Sequence, residues 1–259
     1  MNPQPAPNRW IGRSGLAGNA RLRLFCFPFA GGGTAAYRHW VNHFPCEIEI
    51  CPVQLPGREC RLAEAPVRNL TTLVQSLAHG LTPWLDVPFA FFGHSLGAVV
   101  AFETARELRR TGAPTPEHLF VSAHGPAFIG RNRKQLHRLP DSEFIQAVRG
   151  FGGIPDAVIR NRELLEIVLP VLRADFEMYE THCHMRAEPL DAPITALGGQ
   201  SDVSVPEDYL DAWRSETAAA FKKQLFPGGH FYLQNAMPLV SARIMEELTN
   251  LMRSEMAAA

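Results

Sequence analysis

The sequence predicts an α/β fold, a mostly parallel central sheet with helices on both faces and one helical insertion. Three observations carry that expectation. Six short apolar stretches recur along the 259 residues, helical patterns fall between them, and several stretches are continuously apolar rather than alternating. Strand, helix, strand in repetition builds a parallel sheet, and a strand covered on both faces has no solvent side for polar residues. A hydrophobic content of 46% over this length suits one domain with a sizeable core.

Taken in order, residues 1–20 read as a flexible lead, since MNPQPAPNRW lacks the basic start and apolar run of a secretory signal. RLRLFCF (21–27) is the first strand, followed by the glycine-rich loop FPFAGGGTAAY (27–37), and EIEICPV (47–53) is the second. LTTLVQSLAHGLTPWL (70–85) has a helical apolar period; PFAFFG (88–93) is the third strand. LGAVVAFETARELRR (96–110) is a helix stopped by Thr111 and Gly112, and HLFVSAH (118–124) is the fourth strand. From about Gly125 to Asp191 no strand pattern occurs. DSEFIQAVRGF (141–151) and RELLEIVLPVLRADFEMYETH (162–182) are helical there, with Pro170 as an expected kink or break. An insertion after a strand's C-terminal end falls over the active site of an α/β enzyme, so 125–191 is expected to form a lid, with Gly150, Gly152 and Gly153 as hinges or simple turns. PITALGG (193–199), the helical PEDYLDAWRSET (206–217) and KKQLFPG (222–228) complete a single domain spanning 21–259.

A formal net charge of −1 lacks the basic excess of a nucleic-acid-binding face. No apolar run approaches the roughly 20 residues that cross a bilayer, so a cytoplasmic protein without a membrane partner is expected. The five cysteines (Cys26, Cys46, Cys51, Cys60, Cys183) are odd in number with no CxxC pair, which suits reduced thiols; Cys26 and Cys51 read as small buried hydrophobes. His182 and His184 form an HxH pair, but no further ligands stand at suitable spacing, and no metal is expected.

The chemistry centres on Gly93-His94-Ser95-Leu96-Gly97, a GxSxG pattern with an apolar strand before it and a helix after it. Such a strand-to-helix turn strains the serine backbone, lifts the hydroxyl above the sheet edge and sets a helix N-terminus behind it. A serine needs a base, and the base needs a carboxylate to orient it. Of ten histidines, His230 in FPGGHFYL lies in a glycine-containing loop after the last strand, where it can swing over the sheet edge. His94 adjoins Ser95 on a tight turn, where neighbouring side chains diverge. Asp202 in LGGQSDVSV follows the fifth strand directly, whereas Asp191 precedes it and Asp208 and Asp211 fall in a helix. The order Ser95, Asp202, His230 is that of α/β-hydrolase triads. An oxyanion hole needs two backbone N–H groups, expected from Leu96 and from Ala30 in the glycine loop, with Phe29 and Gly31 beside it as substrate contacts. A phosphate-cradling reading of that loop fails for want of a GK[ST] ending.

Together, FCFPFAGGGTAAYRHW, VQLPGRECR, FFGHSLGA, LRADFEMYET, PITALGGQSD and LFPGGHFYL closely resemble the type II thioesterases that accompany modular polyketide and nonribosomal peptide synthetases, from about residue 21 to 250. The resemblance implies an α/β-hydrolase fold with a helical lid, a triad at Ser95, Asp202 and His230, and oxyanion donors at Ala30 and Leu96. It implies a substrate acyl group held as a thioester on the phosphopantetheine arm of an acyl or peptidyl carrier protein, with no other cofactor, and a monomeric enzyme that removes aberrant or stalled acyl groups. Between the glycines and the acid, where members vary, this chain has Gln200 and Ser201. A medium-chain thioesterase of fatty acid synthesis and a carboxylesterase or lipase are the alternatives. A non-enzymatic binding module usually loses a triad member, and here all three are present. The lid sequence RNRKQLHR (131–138) offers Arg133 and Lys134 either as a docking face for an acidic carrier or as a solvated surface.

Overall fold

The computed structural model describes residues 9–12, 20–127, 135–183, 185 and 187–258, with the backbone alone for 254–258. Its sheet has six strands: β1 (Leu22–Phe27), β2 (Ile48–Pro52), β3 (Phe89–His94), β4 (His118–Ser122), β5 (Ile194–Gly199) and β6 (Phe221–Phe226). All pair in parallel, in the order β2-β1-β3-β4-β5-β6. Each expected strand is present to within a few residues. Their continuous apolarity has the anticipated cause. In β1, Phe25 and Phe27 enter one core while Leu22, Leu24 and Cys26 enter the other; in β3, Phe89 and Phe91 oppose Ala90 and Phe92. Side chains alternate across a strand, so two buried faces require apolar residues at every position.

Helices α1 (Leu70–Leu81) and α2 (Leu96–Thr111) cover the first face. Asn69 caps α1 by accepting the Thr72 N–H, and Gly112 ends α2 in the left-handed conformation. Between β4 and β5 lie α3 (Asp141–Gly150), α4 (Asp156–Ile159) and α5 (Arg162–Glu180). Phe144, Val148, Ile154 and Leu172 give this insertion a small core of its own, and Ala30 from the loop after β1 packs against it. The helical insertion therefore sits over the C-terminal edge of the sheet. After β5 come α6 (Glu207–Asp211) and, after β6, α7 (Leu233–Ala258), which covers the second face through Ala236, Val240, Ile244 and Leu248.

Four expectations need correction. Pro170 does not break α5, which runs continuously through it with the proline exposed. The helix expected over 206–217 stops at Asp211 and tightens into a 3-10 turn, Ala212–Glu216, that buries Trp213. No element was expected beyond residue 228, yet α7 is the longest helix among the described residues, with Pro238 exposed near its start and the apolar stripe Ala236, Val240, Ile244 and Leu248 buried. The lead is not wholly loose, because Trp10 is buried against the Arg61 guanidinium, 4.2 Å from its ring centre, and Ile11 bridges Val53. An indole and a backbone bridge suffice to dock residues 9–12; most of the rest of the lead, and Arg133 and Lys134, lie outside the described residues.

Strand order reverses between β1 and β3, since the chain leaves β1 toward β2 on one side and continues through β3 on the other. The crevice at the C-terminal ends of such a pair is where open parallel sheets bind ligands. The loops carrying Ala30 and Ser95 both start there.

Candidate active site

Ser95 joins β3 to α2 with φ 54° and ψ −121°, a conformation that costs a residue with a side chain about 1–3 kcal/mol. Its neighbours hold it there. The Ser95 N–H donates to the Ser122 carbonyl at 2.8 Å, and its own carbonyl accepts the Ala98 N–H at 2.9 Å. The two glycines are required by close packing of the turn. A Cβ on Gly93 would lie 2.1 Å from the Gly97 carbonyl oxygen, and one on Gly97 would lie 2.2 Å from the Phe27 carbonyl oxygen.

The loops after β5 and β6 bring the other two expected residues to Ser95. His230 Nε2 lies 3.0 Å from Ser95 Oγ, and His230 Nδ1 lies 2.7 Å from Asp202 Oδ2. With the Nδ1–H donating to the carboxylate, Nε2 is left as an acceptor facing the serine hydroxyl. Both side chains are largely shielded, Asp202 at 2% exposure and His230 at 12%. Ser204, a residue the sequence patterns did not single out, donates to Asp202 Oδ1 through its backbone N–H at 2.9 Å and its hydroxyl at 2.5 Å. Burial pushes the Asp202 carboxyl upward, but the hydrogen bonds from His230 and Ser204 outweigh it and hold the group below its usual range. The signal for Ser204 was its place two residues after an aspartate, the spacing of a side-chain-capped turn.

Above the triad is a cavity lined by Ala30 and Leu96 and roofed by Val148, Phe151, Phe176 and Tyr179 of the insertion. Phe29 also lines it, its ring edge-on to Phe231 at 5.0 Å. The Leu96 N–H opens α2, where no preceding helical carbonyl can reach it. Among the described residues, neither it nor the Ala30 N–H has a hydrogen-bond partner. Gly31 differs: its N–H donates to Asp175 Oδ2 at 2.7 Å rather than into the cavity. Asp175 is 1% exposed and lies on α5, and it forms a two-pronged ion pair with Arg58, Nη2 to Oδ1 at 2.8 Å and Nη1 to Oδ2 at 2.9 Å. Removing one member would leave a buried charge unpaired, at a cost of about 3–5 kcal/mol. The sequence signal for Asp175 was an acid on the buried face of α5, between Leu172 and Met178.

The remaining candidates are accounted for by packing. His94 is fully buried, its Nδ1 2.8 Å from Ser122 Oγ, and burial followed by the nearby His230 holds its pKa well below the ordinary value. His182 follows α5, 3.7 Å from Glu103, while His184 is outside the described residues. Within RNRKQLHR, His137 is turned onto Glu180 at 2.5 Å, and Arg138 is exposed. Among the described residues no cluster of His, Cys, Asp or Glu could hold a metal ion, and no helix is long and apolar enough to cross a membrane.

Residues 22–247 match the thioesterase domain family, so the chain belongs to that family and is a thioester hydrolase of the α/β-hydrolase type. It is 43% identical over 226 residues to the gramicidin S biosynthesis protein GrsT of Aneurinibacillus migulanus, covering 87% of this chain and 88% of that one. Among solved structures, it superposes on the RedJ thioesterase from the prodiginine pathway of Streptomyces coelicolor with a TM-score of 0.84 at 37% identity, covering 89% of this chain and 91% of the other. The type II thioesterase BorB from the borrelidin biosynthetic cluster gives a TM-score of 0.85 at 32% identity, covering 95% and 100%.

Proposed function

We propose that this protein hydrolyses aberrant or stalled acyl groups from the phosphopantetheine arm of acyl or peptidyl carrier proteins of a polyketide or nonribosomal peptide synthase. The observation that carries the chemistry is the hydrogen-bonded run from Ser95 Oγ through His230 to Asp202, at 3.0 and 2.7 Å. The similarity to a type II thioesterase and to antibiotic-pathway proteins supports the substrate class.

In the first half-reaction His230 Nε2 takes the Ser95 hydroxyl proton as Oγ attacks the acyl carbonyl carbon. Negative charge develops on the carbonyl oxygen against the Ala30 and Leu96 N–H groups. Collapse breaks the C–S bond, and the arm leaves as a thiol with the proton from His230. A thiol of pKa about 8.5 leaves more readily than an alcohol, so this step leans less on the histidine than ester cleavage does. In the second half-reaction His230 removes a proton from water, the hydroxide oxygen attacks the acyl-serine, and the C–O bond to Ser95 breaks. Ser95 regains its proton from His230 and the free acid departs. Asp202, held ionised by Ser204, stabilises the imidazolium in both halves.

The triad itself does not separate thioesters from oxygen esters, so selectivity rests with the apolar roof and with carrier docking. In this reading the enzyme acts as a cytoplasmic monomer without a cofactor of its own, the phosphopantetheine arm arriving with the substrate. Arg133 and Lys134 form either a docking face for an acidic carrier or a solvated surface. In the first case, reversing both to Glu raises KM for a carrier-bound acyl group and spares a small soluble ester, and equal effects on the two substrates exclude that role.

The experiment that tests the function is mass spectrometry of a panel of acyl-loaded carrier proteins before and after incubation, with Ser95→Ala as control. Loss of short or aberrant acyl groups from carriers supports the reading. Activity confined to medium-length fatty acyl groups favours a fatty acid synthase partner, and a preference for matched oxygen esters favours a carboxylesterase.

A further inference from the structure

We propose that the buried pair Arg58–Asp175 is a positioning device that aligns the oxyanion loop only when α5 is seated over the site. The inference rests on the reading of Ala30 as an oxyanion donor. Asp175 edges the cavity above the triad, but its carboxylate is committed to the Gly31 N–H and to Arg58. Two contacts grip one loop, and a third joins the groups that make them. Asp175 Oδ2 accepts the Gly31 N–H at 2.7 Å, Arg58 Nη1 donates to the same oxygen at 2.9 Å, and Arg58 Nη1 also donates to the Gly32 carbonyl at 3.0 Å. Gly31 is left-handed at φ 74°, and a Cβ there would lie 2.6 Å from Leu172 Cδ2, so the loop is pressed against α5 by packing as well.

The residue next to this anchor is Ala30. The peptide plane that carries the Ala30 N–H is set by the course of the chain from Phe27 into Gly31, and Gly31 is where the fold grips that chain from above. Arg58 belongs to the loop after β2, on the body of the enzyme, and Gln54 Nε2 holds its carbonyl at 3.1 Å. Asp175 belongs to the roof. One carboxylate thus ties body, oxyanion loop and roof helix at a single point, and lifting α5 would take the acceptor away from Gly31 and leave two charges unpaired. Seating of the roof over a bound acyl group and alignment of the second oxyanion donor are therefore one event. An oxyanion donor is worth about 10²–10³-fold in kcat when removed outright, and a displaced donor loses part of that.

The test compares Asp175→Ala, Asp175→Asn and the paired replacement Arg58→Met with Asp175→Leu, using a soluble acyl-pantetheine thioester and a trifluoromethyl ketone that forms a tetrahedral adduct on the serine. Asp175→Ala is expected to lower kcat at least tenfold, to change KM less than threefold, and to weaken the ketone by a factor similar to the loss in kcat. Asp175→Asn, which keeps an acceptor for the Gly31 N–H, recovers much of both. The apolar pair is expected to restore melting temperature, because no buried charge is left unpaired, without restoring kcat or ketone affinity. Recovery of kcat together with stability in the apolar pair would reduce Arg58–Asp175 to a structural contact and overturn the inference, as would ketone affinity unchanged in Asp175→Ala. A ketone that binds Ser95→Ala as tightly as the parent protein overturns the triad reading itself, and the inference with it.

Discussion

Ser95 combines a reactive position with an unfavourable backbone, and the two properties can be separated by substitution. Ser95→Ala removes the nucleophile and keeps the strain; turnover of an acyl thioester is expected to disappear, while carrier binding measured by titration persists. Ser95→Gly removes both, and because glycine adopts φ 54° freely, its melting temperature should rise by the equivalent of about 1 kcal/mol. His230→Ala should be nearly as damaging to kcat as loss of the serine, since triad members act as a unit, with Asp202→Asn milder. Ser204→Ala removes one of the two bonds Ser204 gives Asp202, and a several-fold drop in kcat with KM unchanged is the expected result of steady-state kinetics. Ser95, Asp202 and His230 were legible because each follows a strand at the same sheet edge. Ser204 was not, because a serine two residues after an aspartate is a common turn pattern whose meaning depends on the acid's role, and the Arg58–Asp175 pair was not, because its two members stand 117 positions apart.

Among the elements, α5 is built against a local rule. Pro170 lacks an N–H for the carbonyl four residues earlier, and its ring crowds that carbonyl, yet the helix continues because Leu172, Ala174, Asp175 and Met178 bury its second half. Pro170→Ala should therefore stabilise α5 by about 1–3 kcal/mol, seen as slower amide exchange within 162–180. If roof opening limits turnover, kcat falls in the same variant; a faster enzyme would show that helix stiffness does not gate the reaction. The proline was plain in the sequence and its consequence was not, because a break and a tolerated proline differ only in what the far half of the helix packs against. The same reasoning separates α7, whose stripe at Ala236, Val240, Ile244 and Leu248 covers a whole sheet face, from the expected helix at 206–217, which gives way at Ala212 to bury Trp213.

On the scale of the molecule, folding stability should depend on pH through histidines buried uncharged. His118 opens β4 with its Nε2 2.8 Å from Thr195 Oγ1, and burial lowers its pKa from 6.5 to about 4; His94 shifts the same way. The unfolded chain then binds more protons than the folded one between those values, so stability rises with pH across that interval and levels off above 6.5. Urea unfolding from pH 4 to 7 should show this slope, and His118→Gln should flatten part of it. By itself the sequence determined the parallel sheet, the identity of its six strands and the order serine, acid, histidine at the sheet edge. These rest on local periodicity and on the strand-end rule, both of which are written in consecutive residues. Only the tertiary structure decided that Gly31 faces Asp175 rather than the cavity, that Ser204 holds the acid, and that α5 and the oxyanion loop share one buried carboxylate. The pairings of Asp175 with Gly31 and with Arg58 join residues more than a hundred positions apart, and what selects them is the cost of leaving a buried charge or N–H without a partner, which exists only once the chain has closed around it.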